Sequence, residues 1–303
     1  MQDKNDKVIR FDSRDVSLNV AGFKLTFNVN GSLKNLIFSP SHDKFFGSKF
    51  TSALPTTAEM GLKFTQADLD SQSTWRKCLC KTKIWQLWVN DAGNFIFFNP
   101  EGGPLQKIEV DPGYKAGQYF GNFKGENGDG ITPFSQGLEI VFFVNWLANF
   151  GDVILHASGV IYDGKAHVFA GQSGVGKSTL AAALSGQDKA TVIGEDQVIL
   201  RWLDGQFWAF GTPWHIDPTM CSPLGAPLEK VYFLEKSQNN TGIKVMTPKE
   251  GVTRLLTSAF IPYYRKEVFD RIFDRLVLVS QKYQFYSLSY LLGTDIGTML
   301  FNH

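Results

Sequence analysis

Nine consecutive residues in the second half of the chain, Gly171-Gln172-Ser173-Gly174-Val175-Gly176-Lys177-Ser178-Thr179, restrict the fold more than any other feature. The glycines let backbone N–H groups turn inward around an anion, because a side chain would block the approach. A helix starting at Lys177 aims its positive end at the same point. The apolar run Ala166-His167-Val168-Phe169-Ala170 leads into the loop, and Leu180-Ala181-Ala182-Ala183-Leu184 follows it. Strand, glycine loop and helix in that order form a phosphate cradle. Gly171, Ser173, Gly174, Val175, Gly176 and Thr179 belong to its lining, Lys177 reaches the β- and γ-phosphates, and the Ser178 hydroxyl ligates Mg²⁺. The competing reading is a glycine-rich turn with a solvated lysine, and the flanking strand and helix weigh against it.

The loop alone does not separate a switch GTPase, a motor ATPase and a kinase. The Asn-Lys-x-Asp tetrad that a GTPase uses to read its base is absent from the sequence. Leu184-Ser185-Gly186-Gln187 looks like a fragment of a transporter ATPase signature, but its place at the end of the loop's own helix fits a C-cap better. Val192-Ile193-Gly194-Glu195-Asp196 puts two acids at a strand end, where α/β sheets hold their ligands. Adjacent carboxylates can divide labour, one near a metal and one near an acceptor hydroxyl as base. Either could instead belong to a solvated acidic turn. His156 lies in an otherwise apolar strand, where a lone histidine is more often a satisfied core residue than a ligand.

The first third reads as strands of period two: Phe23 to Val29, Met60 to Phe64, Lys83 to Val89 and Asn94 to Phe98. The last two flank Asn90-Asp91-Ala92-Gly93 as a hairpin. Between Asp111 and Pro133 the composition shifts to Gly, Asn and Asp, most densely at Gly125 to Gly130, and the stretch reads as linker or exposed loop. Leu138, Val141, Phe142, Trp146 and Leu147 give Gln136 to Phe150 a helical period. The domain boundary is placed just before it, giving a β-rich N-terminal domain at 1–134 and a nucleotide-binding domain at 135–303. Further strands are expected at Val153 to Ile161, Thr191 to Ile193 and Val198 to Trp202. Thr247-Pro248-Lys249-Glu250 is a capping-box helix start, an amphipathic helix follows near Lys266 to Leu278, and a last strand spans Gln284 to Leu288. Thr212 to Pro227 is a candidate acceptor-binding loop or an ordinary connector. Arg201, Arg254 and Arg265 are candidate phosphate contacts or solvent-facing arginines.

Charge narrows the partners. With 30 basic against 29 acidic residues, and no imbalance between the halves, the chain lacks the basic excess of a nucleic-acid or anionic-membrane binder. Met1 to Lys7 is charged with both signs, so no signal peptide is expected. Leu138 to Leu147 is too short and polar to span a bilayer. Cys78, Cys80 and Cys221 make no four-ligand metal set and read as reduced thiols. A cytoplasmic protein is therefore expected. The 26 Phe residues imply large cores.

Leu155-His156-Ala157-Ser158-Gly159, the hairpin after it, the Gly171–Ser178 loop and Gly194-Glu195-Asp196 together resemble the nucleotide-binding core of the HPr kinase/phosphorylase family, itself related in fold to ATP-dependent phosphoenolpyruvate carboxykinases. Trp208 to His215 is similar to a segment of the broader HPr-kinase-like group. The resemblance covers roughly 153–215. It implies a mixed α/β P-loop kinase core, with ATP and Mg²⁺ as cofactors. It further implies Lys177 and Ser178 on phosphate and metal, Asp196 as metal carboxylate, Glu195 as base, and His156 beside the γ-phosphate or metal. Glu195 stands where the family carries Asp. The leading expectation is a serine kinase acting on a protein or peptide hydroxyl. A small-molecule kinase and a non-catalytic ATP-binding sensor or assembly module are the alternatives, and homo-oligomerisation is left open.

Overall fold

The computed structural model describes residues 7–10, 15–28, 35–47, 56–66, 75–99, 106–121, 132–134, 137–236, 241–291 and 295–301. Of the 111–133 stretch read as linker or loop, Ala116–Gly121 is instead a strand, its backbone paired on both sides, while 122–131 lie outside the described residues, as do 135–136 beside the domain boundary placed from the sequence. The chain divides into two compact units, Met1–Trp146 and Leu147–His303.

In the first unit, β1 (Lys7–Arg10), β2 (Val16–Val20), β3 (Phe23–Asn28) and β4 (Asn35–Phe38) precede a 3₁₀ turn at Pro40–Phe45. After it come β5 (Ala58–Gln66), β6 (Trp75–Lys81), β7 (Gln86–Asn90), β8 (Phe95–Asn99), β9 (Gln106–Val110), β10 (Ala116–Gly121) and helix α1 (Leu138–Ala148), whose last two residues already count with the second unit. Among the described residues, eight strands form one sheet in the order β2-β3-β5-β10-β9-β8-β7-β6, while β1 pairs with β4. Alternation along β3 buries Phe23, Leu25 and Phe27 completely on one face, as period-two patterning requires. The rings of α1 reach that sheet, with Trp146 5.1 Å from Phe23 and Phe142 5.5 Å from Phe97. Half of the dozen largest fully buried side chains are phenylalanines of this unit, so a major part of the chain's Phe is core.

The second unit opens with β11 (Val153–Tyr162), β12 (Lys165–Ala170), helix α2 (Lys177–Ser185), β13 (Ala190–Gly194), β14 (Gln197–Leu203), β15 (Gln206–Gly211) and β16 (Gly225–Glu235). It closes with β17 (Gly242–Val245), α3 (Pro248–Ser258), β18 (Ala259–Phe260), α4 (Lys266–Lys282), β19 (Phe285–Ser289) and α5 (Ile296–Phe301). Strand β11 changes partner along its length: Val153–His156 pairs with β14, and Ala157–Tyr162 pairs with β12. Since β12 also runs parallel to β16, the strands β12-β11-β14-β15-β16 close a circuit, with β19 and β17 added beyond β16. Leu180, Ala181 and Leu184 of α2 pack with Ile296 and Leu300 of α5 against Phe169, Tyr232 and Leu288. Helix α4 contributes Val268, Ile272, Leu276 and Val279, a one-sided stripe, to a second core that includes Val231, Phe233, Leu255 and Phe285. No helix among the described residues is long and apolar enough to cross a membrane. Cys78, Cys80 and Cys221 are free thiols.

Candidate functional site

Strand β12 ends at Ala170, the loop runs from Gly171, and α2 begins at Lys177. Two of the loop's glycines sit in the left-handed region, Gly174 at φ +72° and Gly176 at φ +111°, which only glycine adopts without strain. A Cβ on Gly174 would meet nothing within 4 Å, so backbone conformation and not crowding calls for glycine there. Gly176 is latched from outside. The Tyr290 hydroxyl, just past β19, donates to the Gly176 carbonyl at 2.8 Å.

Lys177 is buried at 5% exposure, and its ammonium folds back onto the loop, donating to the carbonyls of Gly171 (3.0 Å) and Gln172 (3.1 Å). Its Nζ lies 4.0 Å from Asp196 Oδ1, the same oxygen that accepts a 2.8 Å bond from His156 Nε2. Asp196 thus joins the histidine of β11 to the lysine of the loop. Its neighbour Glu195 has Ser178 nearby, and that hydroxyl favours its charged form. Of the Ser178–Asp196 metal pair that the resemblance implied, Asp196 is held by His156.

The two carboxylates differ electrostatically. His156's hydrogen bond, with help from Lys177, holds Asp196 below the usual carboxylate range against the effect of its burial. Burial pushes Glu195 upward, as do Asp217 and Asp196, and the Ser178 bond opposes this. Burial lowers Lys177, and Asp196 partly restores it.

The acidic step is built from below. Ser158 Oγ on β11 donates to the Glu195 carbonyl at 2.6 Å. A Cβ on Gly194 would come within 2.5 Å of the Gln197 carbonyl and 3.1 Å of His215 Nε2, so only glycine fits there. Thr212 Oγ1 donates to the Gln197 carbonyl at 3.0 Å, so at its 2.9 Å contact with His215 Nε2 the imidazole donates. Sequence reasoning missed Ser158, His215, Asp217 and Tyr290 as site residues. Ser158 and His215 do lie within the segments quoted for the resemblance, whereas Tyr290 carries no motif. Of the Thr212–Pro227 stretch, His215 and Asp217 bear electrostatically on Asp196 and Glu195.

A cleft of about 680 Å³ opens over the loop. His156, Gly171, Gln172, Ser173 and Val175 line it together with the end of β16 and with α3, including Glu235, Lys236 and Arg254. The three arginines named from the sequence part company here. Arg201 is buried and paired with Asp152 at 2.7 Å, Arg265 donates to Asn149 Oδ1 at 2.7 Å, and Arg254 faces the cleft.

No model of a known protein family matches the chain, and no curated protein matches it. Among solved structures, the HPr(Ser) kinase/phosphatase from Coxiella burnetii is similar at 11% identity over 46% of this chain and 86% of that one, with a TM-score of 0.27. The likeness is distant, and nothing about the activity of this chain follows from it.

Proposed function

We propose that the second unit is an ATP- and Mg²⁺-dependent kinase of HPr-kinase-like type that transfers the γ-phosphoryl group to a hydroxyl, a serine on a protein or peptide. The observation that carries the reading is the joining of a left-handed glycine loop, a buried Lys177 and an Asp196–His156 pair at one point. The loop fits a polyphosphate: the Lys177 ammonium, beside Asp196, donates to two loop carbonyls that a phosphate oxygen outbids. Ser178, Glu195 and Asp196 are hard oxygen donors suited to Mg²⁺, which takes one or two carboxylates plus phosphate oxygens. Bound there, Mg²⁺ supplies charge neutralisation for the phosphates. The loop amides and Lys177 hold and orient the triphosphate. A bond forms from acceptor oxygen to phosphorus as the bond to the ADP oxygen breaks, and the acceptor proton passes to a carboxylate of the acidic step. Glu195, with its raised pKa, is the better-matched acceptor of that proton.

A second reading, an ATP-binding sensor without transfer, rests on Glu195, which is one methylene longer than the aspartate that the resemblance expects of the base. Titration with ATP and Mg²⁺, followed by γ-labelled ATP in a lysate of the source organism, tests both. The kinase reading expects Lys177→Ala to abolish binding, and protein labelling that Glu195→Gln suppresses. It falls if nothing is labelled and Lys177→Ala binds ATP normally. Tight binding with turnover indifferent to Glu195→Gln selects the sensor.

A further inference from the structure

Ser39, His42 and Glu139 of the first unit meet in a chain of hydrogen bonds that the kinase reading does not use. Ser39 Oγ lies 2.8 Å from His42 Nδ1, and His42 Nε2 lies 3.0 and 2.9 Å from the two carboxylate oxygens of Glu139. His42 belongs to the 3₁₀ turn after β4, and Glu139 to the first turn of α1, 97 positions further on. Imidazole and carboxylate are buried, at 6% and 7% exposure, whereas Ser39 is partly open to solvent. A hydroxyl at the surface, a base within hydrogen-bond reach and a buried group that orients the base together make an activated nucleophile. The ring nitrogens are exchanged relative to the usual triad, in which Nε2 faces the serine. The proton can pass to either nitrogen, so the logic is unchanged.

The ordinary structural uses of these residues are not taken up. Ser39 is the N-cap of the 3₁₀ turn, and an N-cap hydroxyl normally accepts from a backbone N–H two or three residues on. Here it makes no such bond and turns to the imidazole instead. Among the described residues the Glu139 carboxylate has no partner besides His42. A buried pair of this kind adds little stability over apolar side chains of similar volume, so stability does not account for it. As a carboxylate, Glu139 only accepts, so Nε2 carries the proton towards it. The neutral ring then leaves the Nδ1 lone pair to accept from the Ser39 hydroxyl. The Phe38 ring lies 5.3 Å from that of His42, and Phe46 lies 4.9 Å from Phe38. These rings keep water from the imidazole on that side, which strengthens its bond to Glu139.

We infer that Ser39 is a catalytic nucleophile, with His42 as its base and Glu139 as the positioning residue, and that it takes the acyl group of a carboxylic ester. The Ser39 oxygen bonds to the acyl carbon while its proton passes to His42 Nδ1. The bond from that carbon to the ester oxygen then breaks, and the proton leaves on the departing alcohol. Water repeats the sequence on the acyl-serine: its oxygen bonds to the acyl carbon, its proton passes through Nδ1 to Ser39, and the free acid departs. The reaction needs no co-reactant but water and does not rest on the kinase reading.

The test is hydrolysis of p-nitrophenyl acetate and labelling by a fluorophosphonate, fluoride leaving, with the adduct located by peptide mass spectrometry. The full chain is compared with Ser39→Ala, His42→Gln and Glu139→Gln, each at a measured melting temperature. The parent is expected to carry the adduct on Ser39 and to release nitrophenol, and Ser39→Ala to lose both. His42→Gln should slow labelling by at least about 100-fold. Glu139→Gln keeps the volume, but its amide donates to Nε2 and moves the ring proton to Nδ1, which should slow labelling by at least about tenfold. Nitrogen NMR of the imidazole reads that change of tautomer, which a loss of packing alone does not produce. A parent chain left unlabelled at Ser39 overturns the inference, and so does labelling that His42→Gln leaves unchanged. Should His42→Gln not fold, Glu139→Gln decides: a changed tautomer with parental labelling overturns the inference equally.

Discussion

His167 allows a quantitative test of how β12, the strand that delivers the glycine loop, is held. The residue is 5% exposed, between Tyr232, whose ring lies 6.3 Å away, and Phe301 at 5.0 Å. Its Nδ1 has no hydrogen-bond partner among the described residues. Burial, and the charge of its cross-strand neighbour Lys230, lower its pKa from 6.5 to about 4. The folded protein therefore keeps His167 neutral where the unfolded chain protonates it. Well above pH 6.5 the group contributes nothing to pH dependence. As pH falls from 6.5 towards 4 the unfolded state gains a proton that the folded state refuses, and stability drops. The full loss is about 3 kcal/mol, of which about 2 kcal/mol falls between pH 7 and pH 5. His167→Leu removes the titration and keeps an apolar side chain in the stack. Denaturant-dependent hydrogen exchange at the β12 and β16 amides reads the stability of the unit concerned. The parent should lose about 2 kcal/mol more than the variant between those pH values. Equal losses in both would show that His167 accepts a proton in place, and that its burial does not control its charge.

Three further outcomes follow from the same geometry. Gly194→Ala forces its Cβ to within 2.5 Å of the Gln197 carbonyl, so it should cost about 1–3 kcal/mol and weaken ATP binding as Glu195 and Asp196 shift; an unchanged melting temperature would count against the steric argument. Tyr290→Phe deletes the bond to Gly176 and should cost about 1 kcal/mol, loosening ATP by up to about tenfold; calorimetric titration showing parental affinity, together with an unchanged melt, would refute the latch. Arg201→Met strands Asp152, whose burial already lifts it to about 6 with the arginine present. Denaturant titration should show a loss of about 3–5 kcal/mol, largely recovered when Asp152→Leu is added; no recovery in the double variant would mean that the arginine stem, not its charge, is what the core needs.

Local elements were the legible part of the fold. The hairpin residues alternate, α4 repeats its apolar residues at helical spacing, and the Thr247–Glu250 box is written in four adjacent positions, so each depends on neighbours in the chain. The start of β16 was not legible. Thr212 to Pro227 reads as a connector because proline cannot donate to a ladder, yet Gly225 to Pro227 already pairs antiparallel with β15. The same strand then continues alongside β12 and β19. Arg201 failed for a different reason. It interrupts the apolar run Val198–Trp202, and the partner that permits its burial, Asp152, is 49 positions away.

The site divides along the same line. The loop could be read because its chemistry needs particular residue types at consecutive positions, and backbone conformation follows from the glycines directly. The acidic step could be found but not resolved. Gly194 ends β13, so Glu195 and Asp196 lie in a turn where the alternation of a strand no longer says which way each side chain points. Their directions are set by groups far off in sequence: Ser158 fixes the Glu195 carbonyl, and His156 draws Asp196 towards Lys177. Two acids that are interchangeable by composition thereby acquire opposite pKa shifts. Environment, not residue type, separates them. The near-neutral charge of the chain fits such a site. Fixed loop dipoles and one buried lysine concentrate positive potential at a single point, so no global excess of basic residues is needed to hold a nucleotide.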